Sequence, residues 1–230
     1  VPYAELRPTA ALQPWVECFW TNRDDGFAPR EHRVLPDGCA DLVFGLASGQ
    51  SDVVGTMTRP LVITSREPSN YFGVRFRPGR AAAFLRIPLA ELTDARVPLR
   101  EIWPRWSGEL SIPSLEAELL RRLDPDRDRR VDYAVERIIT TDGAARVDDV
   151  AREAGISRQH LARQFQHHVG VSPKMLARVM RFRRVVNDVE ARVVWADVAA
   201  RYGYYDQSHL IADFRELAGT TPSAFQFSNP

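Results

Sequence analysis

Lysine is almost missing from this chain. Lys174 is its single lysine, and the other 30 of its 31 cations are arginines, a bias that fits a GC-rich coding sequence better than a mechanism. Cysteine is scarce as well. Cys18 and Cys39 are the only two and lack CxxC spacing, which excludes a disulfide framework and a structural zinc site. No apolar run approaches the ~18–20 residues of a membrane span. The opening VPYAELRP has no basic segment followed by an apolar one, so no secretory leader is expected. A cytoplasmic protein with no membrane partner follows, and its 230 residues suffice for two ordinary domains.

Acidic residues are missing from one stretch in particular. The net charge of +1 divides into −2 over residues 1–128 (16 Arg, 18 acids) and +3 over residues 129–230 (15 cations, 12 acids). Between Ser157 and Arg184 stand seven cations and three histidines without a single acid. Such a run is ordinarily a solvated face. Here it coincides with a motif that gives it a use.

One pattern is written twice. The first copy reads Asp149-Val150-Ala151, Gly155, Ser157, Leu161, Phe165, Gly170, Pro173; the second reads Asp197-Val198-Ala199, Gly203, Asp206, Leu210, Phe214, Gly219, Pro222. The first four pairs are offset by 48 residues and the last five by 49, so one residue is inserted in the turn. Each copy predicts a short helix, a glycine at a sharp turn, and a Ser or Asp N-cap whose oxygen accepts orphan N–H groups. Leu and Phe then follow on one stripe of a helical period. Val147 and Trp195 also correspond, closing each core from the N-terminal side. This is a helix-turn-helix, whose second helix can enter a DNA major groove.

Lys174 to Val189 predicts a connecting helix with Pro173 in its first turn. At ~1.5 Å per residue, 16 residues separate the units by roughly 24 Å. Adding the offset of each recognition helix suits two major-groove faces ~34 Å apart on one side of DNA.

Residues 131–227 resemble the DNA-binding domain of AraC/XylS-family transcription regulators over nearly its whole length. The resemblance rests on DVAREAGIS, HLARQF and VGVSP in the first copy and DVAARYGYYDQSHLIADFRELAGTTPSAF in the second. It implies base contacts mainly from Gln159, Ala162 and Arg163. Arg pairs with guanine and Gln with adenine, each worth ~1–3 kcal/mol of discrimination, while Ala162 offers only an apolar contact. Arg158 and Gln166 complete that exposed face; Ser157, Arg158 and His167 are expected to touch phosphate or only water, and Lys174 and Arg178 are expected at phosphate. In the second copy, Gln207, Ser208 and His209 are the candidate contacts, with His209 equally suited to bonding within its own domain. Ala212 stands where many family members carry a cation, and Asp213 is expected to add a negative charge on the same face. The second unit therefore reads as a backbone anchor.

The first half predicts strands at Val16–Thr21, His32–Leu35, Ala40–Leu46, Leu61–Thr64 and Tyr71–Phe76, with Pro36-Asp37-Gly38 as a turn. Helices are expected at Gly79–Leu85, near Pro98–Trp103, and at Ser114–Leu123. The fold class is thus α+β in two domains: a strand-rich small barrel of cupin type with a helical tail, then an all-α double helix-turn-helix. Residues 1–124 form a sensor or dimerisation domain, 125–130 a linker and 131–230 the DNA-binding domain. HRVLPDGCADLVF, GVRFRPGRAAAFL and LTDARVPL resemble one sub-group of AraC-type sensor domains.

Trp20, Cys39, Tyr71, Arg75 and Arg77 are the candidate ligand residues, the two arginines sharing a strand face suited to an anion. Trp15, Phe19, Trp20, Phe44 and Tyr71 line either an apolar pocket or a filled core. His32, Asp37, Cys39 and Asp41 could ligate a metal, but one histidine is a poor start for such a site. A turn made by Asp37 beside a buried Cys39 accounts for them better. No metal, cofactor or catalytic residue is therefore assigned.

The leading function is a transcription regulator binding double-stranded DNA, responsive to a small ligand or to homodimerisation, and able to act beside RNA polymerase. A second reading is an enzyme domain, thiol-based alkyl transfer or metal-dependent, fused to a DNA-binding module. A third is a constitutive DNA binder whose first half only dimerises.

Overall fold

The computed structural model describes residues 3–24, 30–65, 68–106, 108, 110–124, 128–189 and 193–225. The first half holds eight strands among the described residues: β1 Tyr3–Leu6, β2 Val16–Asp24, β3 Arg30–Val34, β4 Ala40–Gly45, β5 Ser51–Val54, β6 Leu61–Ser65, β7 Ser69–Phe76 and β8 Arg96–Pro98. Six form an antiparallel sheet in the order β1-β2-β7-β4-β5-β8, and β3 pairs with β6 in a second, two-stranded sheet. All five expected strands are present. β1, β5 and β8 were not foreseen, because each has only three or four residues, too few for an alternation to show; β5 pairs with the neighbouring β4, and β8 is made a strand by its pairing with β5. In β5, Asp52 is buried and accepts from Arg96 Nε of β8 at 2.7 Å, a pairing no local pattern announces.

Helices α1 Ala82–Leu85, α2 Leu99–Ile102 and α3 Ile112–Arg122, with a 3-10 turn at Leu89–Leu92, cover one face of the large sheet. Strand alternation sends Phe19, Leu42, Phe44, Val74 and Phe76 into that layer, where they meet Phe84, Leu115 and Leu119. Phe76 stacks on Phe84 at 5.0 Å, and Trp15 meets the same ring edge-on at 5.8 Å. Trp15, Phe19 and Phe44 thus fill a core. Trp20, Tyr71 and Arg75 point to the opposite face of the sheet, since they alternate with the core residues of β2 and β7.

The second half is helical: α4 Arg129–Thr140, α5 Val147–Glu153, α6 Arg158–His168, α7 Pro173–Asp188, α8 Trp195–Arg201 and α9 Gln207–Ala218. Its core runs through Val150, Leu161, Phe165, Leu176, Phe182, Leu210 and Phe214. α7 is central: Phe182 meets Phe214 edge-on at 5.0 Å, and Leu176, Val179 and Val185 are buried.

The two halves are in contact. Buried Thr56 donates to Val169 O at 2.8 Å, and Thr93 donates to Gly170 O at 2.5 Å. The Val169 carbonyl is an orphan at the C-cap of α6 and that of Gly170 follows it, so the strand domain supplies part of the capping at that end. Arg33 donates to Ala218 O at the end of α9, and Arg183 of α7 donates to Asp37 O. Arg80 pairs with Asp132 of α4.

Candidate nucleic-acid interface

The duplicated motif folds the same way twice. α5 and α8 each end in a tight turn, where Ile156 N bonds Ala151 O at 3.1 Å and Tyr204 N bonds Ala199 O at 2.9 Å. The intervening Gly155 and Gly203 have φ of +68° and +73°, the left-handed region that favours glycine. The caps are equivalent too. Ser157 accepts from His160 N at 3.2 Å, and Asp206 accepts from His209 N at 2.8 Å. The Ser157 hydroxyl therefore has a structural duty at the very edge of the reading face.

On α6, Leu161 and Phe165 are fully buried, while Arg158, Gln159, Arg163, Gln166 and His167 are exposed and Ala162 is half-buried. The sequence pattern had them on one side, and the fold leaves that side uncovered. Arg163 Nη2 lies 3.1 Å from His160 Nδ1 one turn back, which orients the guanidinium. Arg158 pairs with Asp148 at 3.2 Å, both side chains being more than half exposed. His160, absent from the sequence candidates, is legible only as an i,i+3 neighbour of Arg163.

The basic stripe shrinks on inspection. Of its seven cations, four lie on α7 from Arg178 onward, and each has partners inside the protein. Arg178 is bound to Asp213 and Glu216, and Arg181 donates to Gly143 O at 2.9 Å. Arg183 donates to Asp37 O, and Arg184 pairs with Asp142 and Asp188. Arg178 thereby leaves the phosphate-facing set, because its charge is committed to two carboxylates of α9. Lys174, at the start of α7, is exposed.

α9 also departs from expectation. Asp213 does not face outward; it is 1% exposed and turned toward α7. Gln207, Ser208, Ala212 and Arg215 form the exposed side. Arg215 was missed, since its weight as a surface cation emerges only once Asp213 is removed from that face. His209 is half-buried. Its ring meets Tyr204 edge-on at 5.3 Å, and Nδ1 accepts from Tyr205 N at 3.4 Å, so it is engaged within its own unit.

In the strand domain, Trp20 Nε1 donates to Asp41 at 2.8 Å and Tyr3 stacks on the indole at 6.4 Å. Arg75 lies 3.3 Å from Asp41 and 3.5 Å from Asp37. Burial opposes its charge, but the two carboxylates overcome this and raise its pKa. Its cation is thus already neutralised. Arg77 lies beyond the end of β7 and donates to Gln13 O at 2.9 Å. Tyr71 is half-buried on the same sheet face as Arg75. Cys39 is buried, donates weakly to Glu17 at 3.4 Å, and has its thiol pushed well up by burial and by Asp37. Burial likewise lifts Cys18 to about 12. Neither sulfur has the thiolate character a nucleophile needs.

Burial lifts the Asp41 carboxyl to about 6 against the pull of Arg75. The folded chain therefore holds this proton more tightly than an unfolded one, whose pKa is ~3.9. Its contribution to stability is complete below about pH 4 and is lost as the pH rises through about 6. Urea unfolding of the wild type and of Asp41→Asn across this window checks it. The difference between them should change with pH; a constant difference excludes a buried titration here.

Two copies of a capped, glycine-turned helix pair on a shared central helix define the class: a double helix-turn-helix protein. Residues 150–227 match a family described as a helix-turn-helix domain, and residues 4–98 match a domain of unknown function, DUF6597. The C-terminal region is a helix-turn-helix domain of AraC type, joined to an N-terminal domain of the second family. Among solved structures, ToxT from Vibrio cholerae is 14% identical, with 89% of this chain and 96% of that chain covered and a TM-score of 0.42. A structure of ToxT with an unsaturated fatty acid bound is 13% identical, covering 89% and 93%, at 0.43. Among the described residues, no helix is long and apolar enough to cross a membrane.

Proposed function

We propose that the protein is a cytoplasmic, sequence-specific transcription regulator that reads the major groove mainly with α6 and more weakly, with a larger share of backbone contacts, with α9. The observation that carries this is the exposed side of α6. Gln159, Arg163 and Gln166 stand there without core duties, on a helix whose opposite side is fully buried. Gln159 and Arg163 contact base edges, with Ala162 against a thymine methyl. Arg158, His167 and Lys174 approach phosphate near the capping Ser157, and Gln207 and Ser208 do so on α9, joined by Arg215.

Salt dependence tests this. With four of seven stripe cations engaged inside the protein, and Arg158 held only by a solvent-exposed pair with Asp148 that phosphate can replace, Arg158, Arg163 and Lys174 are the ones available to DNA. Their share of the log K against log [salt] slope is about −3 rather than about −6, at ~0.9 per phosphate neutralised. Lys174→Ala should weaken binding to all sequences and flatten the slope by about 1. An unchanged slope would remove Lys174 from the interface.

In this reading residues 1–124 are the controlling domain, 125–130 join it to the DNA-binding region 131–230, and the protein acts beside RNA polymerase. Support for control comes from the Thr56 and Thr93 bonds to the end of α6, through which a ligand or a second copy bound to the first domain can bias the reading helix. Trp20, Tyr71 and Arg75 are the candidate ligand face. A second reading, a constitutive DNA binder, is favoured by one observation: Trp20, Asp41, Arg75 and Asp37 already satisfy one another. Ligand screening by thermal shift separates the two, since only a sensor gains stability. The enzyme alternative loses its nucleophile, both thiols being buried with raised pKa values, and the protein is read as a regulator without catalytic residues.

A further inference from the structure

α9 is joined to α7 in two ways that differ in kind. One is apolar: Phe214 against Phe182 at 5.0 Å, with Trp195 of α8 on the same ring at 6.1 Å. Such contacts hold helices together but tolerate rotation and sliding, because dispersion is non-directional. The other is a charge cluster with fixed geometry. Arg178 Nε and Nη2 both reach Asp213 Oδ1, at 2.9 and 2.7 Å. Nη1 and Nη2 each take one oxygen of Glu216, at 3.1 and 2.5 Å. A planar guanidinium forked onto two carboxylates one turn apart on the same helix dictates the angle between that helix and its own.

The cluster is deeper than a surface ion pair. Asp213 is 1% exposed and adjoins the buried Tyr204, whose phenol is pushed up first by burial and then by that carboxylate. Arg181, one turn on along α7, lies over the Tyr204 ring at 5.3 Å. The cluster thus also ties in the turn preceding α9. It belongs to the second copy alone. The 49-residue offset aligns Asp213 with Gln164 and Glu216 with His167, so the first reader has no counterpart.

We propose that the Arg178–Asp213–Glu216 cluster sets the orientation of the second reading helix relative to the first, and so fixes the operator spacing the protein accepts. Arg178 and Asp213 are then positioning residues that touch no DNA. A charged cluster is a poor stabiliser compared with apolar packing of the same volume; its use here is directional. The proposal rests on the reading of both helices as DNA-binding elements.

The test uses duplexes selected by the full-length protein from a random pool, then rebuilt with one base pair inserted or removed between the two elements. The wild type should lose roughly tenfold or more in affinity on either change. Asp213→Ala should bind the original spacing more weakly and discriminate among the three spacings by less than about threefold. Arg178→Ala should do the same without altering the salt slope. Circular dichroism and thermal midpoint establish that each variant folds. If Asp213→Ala does not, Asp213→Asn and the apolar pair Arg178→Met with Asp213→Leu take its place, with the same flattening expected. A variant that folds and keeps the steep spacing preference overturns the proposal, as does a loss of about one unit of salt slope in Arg178→Ala, which would put that arginine at phosphate. A wild type that selects one element alone also overturns it. A wild type that selects no sequence at all would instead overturn the DNA-reading assignment beneath it.

Discussion

Arg163→Ala should lower affinity for the selected operator by roughly 5- to 150-fold, the ~1–3 kcal/mol of one good base contact. Arg163 is exposed on α6, has no carboxylate partner among the described residues, and is held by the imidazole of His160. Its guanidinium is therefore available to a guanine edge, and its loss should relax preference at one base pair. Binding to unrelated DNA should fall much less, by about one charge contact. Competition against a panel of single-base operator variants separates these outcomes. Unchanged discrimination at every position would remove Arg163 from base reading.

Gly143→Ala should be the most damaging single-atom change in the helical half. Gly143 follows α4 with φ +73°, and a Cβ there would lie 1.9 Å from the backbone oxygen of Ala177 on α7. Backbone cannot swing aside as a side-chain end can. The left-handed conformation costs ~1–2 kcal/mol with a Cβ, and forcing α4 away from α7 costs a further ~1–3. A fall in thermal midpoint of around 10 °C follows for a chain of this size. Gly155 is the matched control: φ is +68°, with nothing within 4 Å of the added carbon. Gly155→Ala should cost only the conformational ~1–2 kcal/mol, and its midpoint should fall a few degrees. Equal falls in the two variants would mean the α4–α7 contact yields without cost.

The duplicated motif was legible because its determinants are local. The Ser157 and Asp206 caps, the glycine turns and the stripes Leu161-Phe165 and Leu210-Phe214 obey rules that act over four to eight residues, and the structure repeats them. Arg178 and Asp213 were not legible. On helical spacing both can be drawn on a solvent-facing side, and only the packing of α9 on α7 turns them toward each other. Arg183 is the same case across a longer distance, its partner Asp37 being 146 positions away. Strands β1 and β8 escaped for a related reason, being short segments made into strands by partners elsewhere, and β5 because four residues are too few to show an alternation.

Spacing and periodicity alone were enough to establish two helix-turn-helix units, their caps, and the exposed side of α6, since a helix carries its own geometry and its buried stripe implies the opposite one. Which charges remain for DNA was decided by the tertiary structure. A cation on a helix has no fixed partner until another helix arrives, and here α9, the turn after α4 and the strand domain claim four of the seven.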